Sequence, residues 1–211
     1  KVLGYCAQKN IAVTPRGAGT GLCGGAVPIH GGVVLSLERM NRILEIDENT
    51  MTATVEPGVL LSDFIREVEA RGLFYPPDPG EKTATLGGNA MTNAGGMRAV
   101  RYGVTRDYVL GMQVALPSGE LLDLGGKVVK TSSGYSLLSL LVGSEGTLGI
   151  VTKLILKLLP MPRANVSVLA PFDDLDACVR AVPQVLACGA EPTAVEFMER
   201  EVIACAETYL G

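Results

Sequence analysis

Residues 15–25 read PRGAGTGLCGG, directly after the apolar run IAV at 11–13. From Gly19 onward the stretch spells G-x-G-x-x-G through Gly21 and Gly24. That is the spacing with which a strand turns into a helix whose end holds a dinucleotide pyrophosphate. The residues that follow decide against that fold. GAVPIHGGVVLSL (25–37) contains Pro28 and Gly31-Gly32, which exclude a long helix, and it closes in a buried-strand pattern over 31–37. The acidic ribose partner expected about 20 residues on would be Glu45, which falls in a hairpin strand. No Gly-Lys-Ser/Thr ends the loop, so a Walker-type cradle fails as well.

The loop still suits an anion. Gly17, Gly19 and Gly21 free the backbone to turn several N–H groups into one concavity. Arg16 offers a positive charge and Thr20 a hydroxyl donor. The plain alternative is a glycine-rich turn that holds nothing. Two further loops repeat the composition: TLGGNAMTNAGG (85–96) and GSEGTLGIVT (143–152). Three such loops suggest one long polar cofactor in an extended groove between two lobes. Asn89 and Asn93 are four apart and share a face on a short helix; they serve either a ligand edge or the local backbone.

The rest of the chain reads as mixed helix and strand. Residues 1–9 form the end of an amphipathic helix and 11–14 a short strand. ILEIDENTMTATVEPG (43–58) alternates on either side of Glu48-Asn49-Thr50, a hairpin. VLLSDFIREVEAR (59–71) has helical spacing with Gly72 as its stop. LFYPPDP (73–79) is extended, because residues before proline avoid the helical region. DYVLGMQVAL (107–116) and ELLDLGG (120–126) pair through Pro117-Ser118-Gly119, and SGYSLLSLLV (133–142) is a helix leading into the third loop. Pro160 and Pro162 mark a boundary. Beyond them NVSVLAPF (165–172) and EPTAVEFM (191–198) read as strands, each followed by a helix.

The chain of 211 residues is 47% hydrophobic, with 18 basic against 22 acidic residues and a formal net charge of −4. No Lys/Arg block is present, so nucleic acid and anionic membrane surfaces are not expected as partners. The mean hydropathy is +0.31, yet no apolar run approaches the roughly 20 residues of a membrane span. Five scattered cysteines without C-x-x-C fit a reduced, cytoplasmic setting, and no metal or iron–sulfur site is expected. The chain opens inside a helix pattern without Met or signal peptide, which suggests a fragment.

The motifs PRGAGTGLCGGAVP, VEPGV, PPDP, TLGGNAMTNAGG, YGVTRDYVLG and GYSLLSLLVGSEGTLGIVTKLILKLLP, in this order, resemble the FAD-binding domain of the vanillyl-alcohol oxidase/p-cresol methylhydroxylase superfamily. Within it, the resemblance runs to the glycolate oxidase flavoprotein subunit and the FAD-linked D-lactate and D-2-hydroxyglutarate dehydrogenases. The implied fold is α+β: a two-subdomain FAD-binding domain over 1–162, lacking its N-terminal strand, and the start of a ferredoxin-like cap domain over 163–211. The resemblance assigns the pyrophosphate to Arg16, Gly17, Ala18, Gly19, Thr20, Gly21, Gly24 and Gly25. Pro77 and Asp78 would lie along the cofactor. Gly88, Asn89, Thr92, Asn93, Gly95 and Gly96 would line the flavin and ribityl region, and Glu145, Gly146, Gly149 and Ile150 the adenosine side.

The resemblance also implies an activity, oxidation of a small 2-hydroxy acid of the D-lactate or glycolate type. Electrons would pass to a partner subunit or a quinone, which would be the chain's one route to a membrane. No catalytic residue is assigned, since the family's substrate-facing histidines and basic residues would follow Gly211. Arg98, Arg101, Tyr102 and Arg106 are the concentrated polar groups near the expected flavin; salt bridges and solvent are their plain alternative. Thr20 stands where covalently flavinylated relatives carry His, which predicts non-covalent FAD. His30 falls in a turn, Ser136 replaces a frequent Asp, and Ala18 a frequent Gly. Two alternatives remain: a non-redox FAD-dependent transferase of the alkyl-dihydroxyacetone-phosphate synthase type, and a cofactor-binding module inactive on its own.

Overall fold

In the computed structural model, which describes Lys1–Gly211, helix α1 (Val2–Gln8) precedes strand β1 (Val13–Arg16). Strand β2 (Val33–Ser36) lies parallel to β1, with Val13 opposite Val33 and Arg16 opposite Ser36. Parallel neighbours need a long crossover, usually a helix. Here the glycine loop 17–32 is the crossover, which is why the dinucleotide spelling inside it has no helix to serve.

The hairpin forms as its alternation predicts. Strands β3 (Ile43–Asp47) and β4 (Thr52–Val55) are antiparallel, and the Asp47 carboxylate accepts the Asn49 and Thr50 backbone N–H groups at 3.0 and 3.2 Å to shape the turn. Helix α2 (Leu61–Glu69) buries Leu61, Phe64 and Val68, the i, i+3, i+7 stripe of an amphipathic helix. Strand β5 (Leu73–Phe74) follows Gly72, and the prolines keep 76–79 extended. Helix α3 (Leu86–Thr92) is capped by Thr85, whose hydroxyl accepts the Gly88 N–H at 3.2 Å. Helix α4 (Ala99–Tyr102) and a 3₁₀ turn (Thr105–Tyr108) lead into strand β6 (Val109–Ala115).

Strand β7 (Leu121–Gly125), helix α5 (Leu137–Leu141) and strand β8 (Ile150–Lys157) complete a five-stranded antiparallel sheet ordered β3-β4-β8-β6-β7. Strand β9 (Leu159–Pro160) pairs with β5. The core of 20 buried residues lies between this sheet and helices α2 and α3; Ala53, Val55, Leu61, Phe64, Ala90 and Leu154 are all sealed from solvent.

Helices α6 (Leu175–Ala187) and α7 (Arg200–Leu210) form where expected, and Asp174 caps the first through the Ala177 N–H at 2.7 Å. The strands expected at 165–172 and 191–198 do not form. Their alternation is present, but a strand exists only with a ladder partner, and neither segment pairs with another strand. Val166, Val168 and Leu169 remain exposed.

Candidate cofactor site

The three glycine loops meet, and they meet where glycines let backbone through. A side chain on Gly25 would stand 2.9 Å from Glu145 Oε2, and one on Gly146 would stand 2.6 Å from Pro15 Cγ. The first loop therefore touches the third twice. Gly17 packs equally closely on the Thr85 hydroxyl, joining the first loop to the cap of α3. Backbone bonds close the remaining side. Gly143 N–H donates to Ala90 O at 3.0 Å and Glu145 N–H to Met91 O at 2.8 Å. Gly96 presses on the Asp78 carbonyl, which brings PPDP against the end of the second loop.

The first loop is rich in free donors. None of the backbone N–H groups from Gly17 to Ala26 donates to a protein acceptor. Most of these residues are exposed, including Gly19, Thr20, Gly21, Gly24 and Gly25. Gly19 and Gly24 hold φ of +77° and +75°, the left-handed values that turn successive N–H groups toward a common ligand. The Asn89 side-chain amide is a further unmatched group: the residue is 4% exposed and its Nδ2 has no acceptor. A run of unused donors with unpartnered polar atoms fits a phosphate-bearing, hydrogen-bond-rich cofactor.

The candidate residues divide by what already occupies them. Asn93 does not share a helical face with Asn89. It is the C-cap of α3 in a left-handed conformation (φ 50°, ψ 50°), and its Oδ1 accepts the Arg106 N–H at 2.9 Å. Thr92 donates its hydroxyl to Gly88 O at 2.9 Å. Asp78 pairs with Lys82 and, at 3.4 Å, with Arg98. Burial, then the nearby Arg98, holds the Lys82 ammonium below its usual range. Gly95 approaches Val104. Pro77 is buried, and Gly149 and Ile150 are buried where β8 begins, Gly149 against Val114.

The arginine cluster is committed as well. Arg101 donates to Glu191 O at 3.0 Å, and Arg106 donates through Nη2 to Val142 O at 3.0 Å. Arg106 thereby ties Asn93 of the second loop to the hinge of the third. His30 is exposed in a turn.

Arg16 differs from its sequence reading. Its Nη2 donates to Glu38 Oε2 at 2.6 Å, and Glu38 also accepts the Ser36 hydroxyl at 2.7 Å. Its charge is therefore compensated rather than free. The Ser36 hydroxyl, followed by Arg16, holds the Glu38 carboxyl below the usual carboxylate range. Glu38, Ser36 and the capping Thr85 went unnoticed in the sequence, because no spacing pattern links residues 16 and 38. Ser36 ends β2 opposite Arg16 and Glu38 follows two residues later, a proximity set by the parallel pairing.

Three glycine loops that pack on one another and on α3, the first with unused backbone donors, define a protein that binds a long phosphate-bearing cofactor. Residues 1–125 match the FAD binding domain family and residues 161–211 the C-terminal domain of FAD linked oxidases. The chain belongs to the FAD binding domain family, and its cofactor is FAD.

Among curated proteins, a D-lactate dehydrogenase of Anaerostipes hadrus is 54% identical over 210 residues, covering 100% of this chain and 44% of that protein. The glycolate oxidase subunit GlcD of Bacillus subtilis (strain 168) is 48% identical over 210 residues, covering 99% of this chain and 45% of the subunit. The chain thus spans less than half the length of these relatives. A solved structure of alkyldihydroxyacetonephosphate synthase superposes with a TM-score of 0.77 at 25% identity, covering 92% of this chain and 35% of that one. No helix is long and apolar enough to cross a membrane.

Proposed function

We propose that this chain is the FAD-holding part of a dehydrogenase that oxidises a small 2-hydroxy acid of the D-lactate or glycolate type. Its electrons would pass to a partner subunit or a quinone. The observation that carries this reading is the 54% identity, along the whole chain, to a D-lactate dehydrogenase. A domain boundary at 162/163 follows from Pro160, Pro162 and the change of pattern beyond them.

The free N–H groups of Gly17–Gly21, Gly24 and Gly25 would hold the pyrophosphate, with no covalent attachment at Thr20. Gly88, Asn89, Thr92, Asn93, Gly95 and Gly96 would face the flavin and ribityl chain, with Pro77 and Asp78 beside them. Glu145, Gly146, Gly149 and Ile150 would border the adenosine. When bound, FAD accepts the hydride equivalent of the substrate's C–H bond. The chain's residues would orient the cofactor and exclude water from one of its faces; the base that takes the hydroxyl proton is not assigned to them.

The test uses the full-length flavoprotein, mixed anaerobically with D-lactate and with glycolate while the visible flavin absorbance is followed. Bleaching by either acid supports the dehydrogenase. An oxidised spectrum unchanged by every hydroxy acid tried refutes it and favours the transferase reading suggested by the structural neighbour.

A further inference from the structure

The geometry points to Arg16 as a strut that shapes the pyrophosphate loop through Glu38, rather than a ligand of the phosphates. Three observations support this. The Arg16 stem runs under the loop, with Cδ 3.7 Å from where a side chain on Gly19 would begin. Its guanidinium is fastened to Glu38 at 2.6 Å. Its carbonyl accepts the Leu37 N–H at 2.9 Å. One residue at the root of the loop is thus held by backbone and by side chain to the end of β2.

Glu38 is itself fixed. Ser36 donates to its carboxylate, and the Leu37–Met40 turn is closed by Met40 N–H donating to Leu37 O at 2.9 Å. The Arg16 and Glu38 side chains are 40% and 47% exposed, and an ion pair that open adds little to stability. What the pair does add is position: it fixes where the chain leaves β1, and so where the free N–H groups begin. Arg is suited to this role because its planar fork holds one orientation, which Lys does not.

A direct ligand and a strut make opposite predictions for Glu38. If Arg16 touched phosphate, removing the Glu38 charge would free it and tighten FAD. If Arg16 is a strut, removing either partner loosens the loop, and removing both does no further harm.

The experiment titrates flavin-free full-length protein with FAD and reads the quenching of flavin fluorescence, comparing wild type with R16Q, E38Q, R16K, S36A and R16Q/E38Q. This rests on FAD as cofactor but needs no substrate, so its outcome is separate from that of the hydroxy-acid reading. Under the strut, R16Q and E38Q each raise the FAD Kd roughly tenfold, the scale of one charge-assisted hydrogen bond. The double variant matches the worse single, R16K fails like R16Q, and S36A gives a smaller rise of the same sign. The thermal midpoints of the flavin-free proteins stay near wild type, which separates positioning from general destabilisation. Tighter FAD binding by E38Q, R16K retaining wild-type affinity, additive losses in the double variant, or an unchanged Kd in both single variants would each overturn the inference. Should R16Q not fold, E38Q and S36A still decide the sign.

Discussion

Gly146→Ala tests the packing that joins the first and third loops. Gly146 holds φ +77°, where an L side chain costs roughly 1–2 kcal/mol. Its new methyl would also sit 2.6 Å from Pro15 Cγ. A proline ring cannot rotate aside, so overpacking adds roughly 1–3 kcal/mol. The sum is about 2–5 kcal/mol, a large share of the roughly 5–15 kcal/mol that holds a typical domain folded. The third loop can escape the clash only by leaving Pro15, which strains the Gly143–Ala90 and Glu145–Met91 bonds and parts the third loop from the first. The variant should therefore lose stability in the flavin-free state and bind FAD at least about tenfold more weakly. Gly21→Ala is the control for stability, since nothing in the protein lies within 4 Å of a methyl there. Urea unfolding of the flavin-free proteins and FAD titration measure the two effects. A Gly146→Ala protein with wild-type midpoint and wild-type Kd, or a Gly21→Ala protein equally destabilised, would refute the reasoning.

Tyr75 is buried between Phe64 and Tyr108, with ring centroids 5.1 and 6.0 Å away, and its hydroxyl has no partner. Burial pushes that phenol well above its usual range. Tyr75→Phe should leave the urea midpoint unchanged or raise it, by up to about 1–3 kcal/mol; a clear loss would show that the hydroxyl is satisfied. Thr85→Ala removes the cap of α3 and the contact with Gly17, and should cost about 0.5–2 kcal/mol and weaken FAD binding; equal thermal midpoints would count against the capping role. Hydrogen bonds from Arg42 hold the Glu56 carboxyl below its usual range. Its contribution is therefore complete above the ordinary Glu value of about 4.3 and is lost as pH falls through the lowered folded value. Glu56→Gln should flatten that acid limb of the stability curve, and an identical limb in the variant would exclude Glu56 as its source.

Elements whose signal is local were legible in the sequence. The hairpin at 43–58 showed its alternation and its turn, and α2 its apolar stripe with Gly72 as the stop. The strand after the first glycine loop was legible, because Pro28 and the glycines rule out the helix a dinucleotide fold needs, but its parallel pairing with β1 was not. Contacts made by distant residues were not legible. Arg16 meets Glu38 across 22 positions, and Ala90 of α3 accepts the N–H of Gly143, the first residue of the third loop. Asn93 illustrates the same limit at short range: four residues after Asn89 predicts a shared helical face, but the helix ends first and the side chain turns to the Arg106 backbone. The segments at 165–172 and 191–198 had the pattern of strands without partners, and the pattern alone does not form a ladder.

The VEPGV motif shows how a stretch that carries the family resemblance serves the site without entering it. Pro57 O accepts the Gly87 N–H at 2.8 Å, and Gly87 packs so closely on Pro57 that a side chain there would meet the ring at 2.5 Å. On its other side, Gly58 N–H donates to Met40 O at 2.7 Å, within the turn that carries Glu38. Glu56 in turn accepts the backbone N–H and the guanidinium of Arg42, at 2.9 and 2.7 Å. The motif thus bridges the root of the first loop, held by Arg16 and Glu38, to the helix that begins the second. The unused donors of the first loop are backbone N–H groups, whose positions depend on such bridges rather than on the side chains at the site itself. That dependence explains why the recognisable residues here are glycines, prolines and short polar side chains, with the charged groups tied to one another behind them.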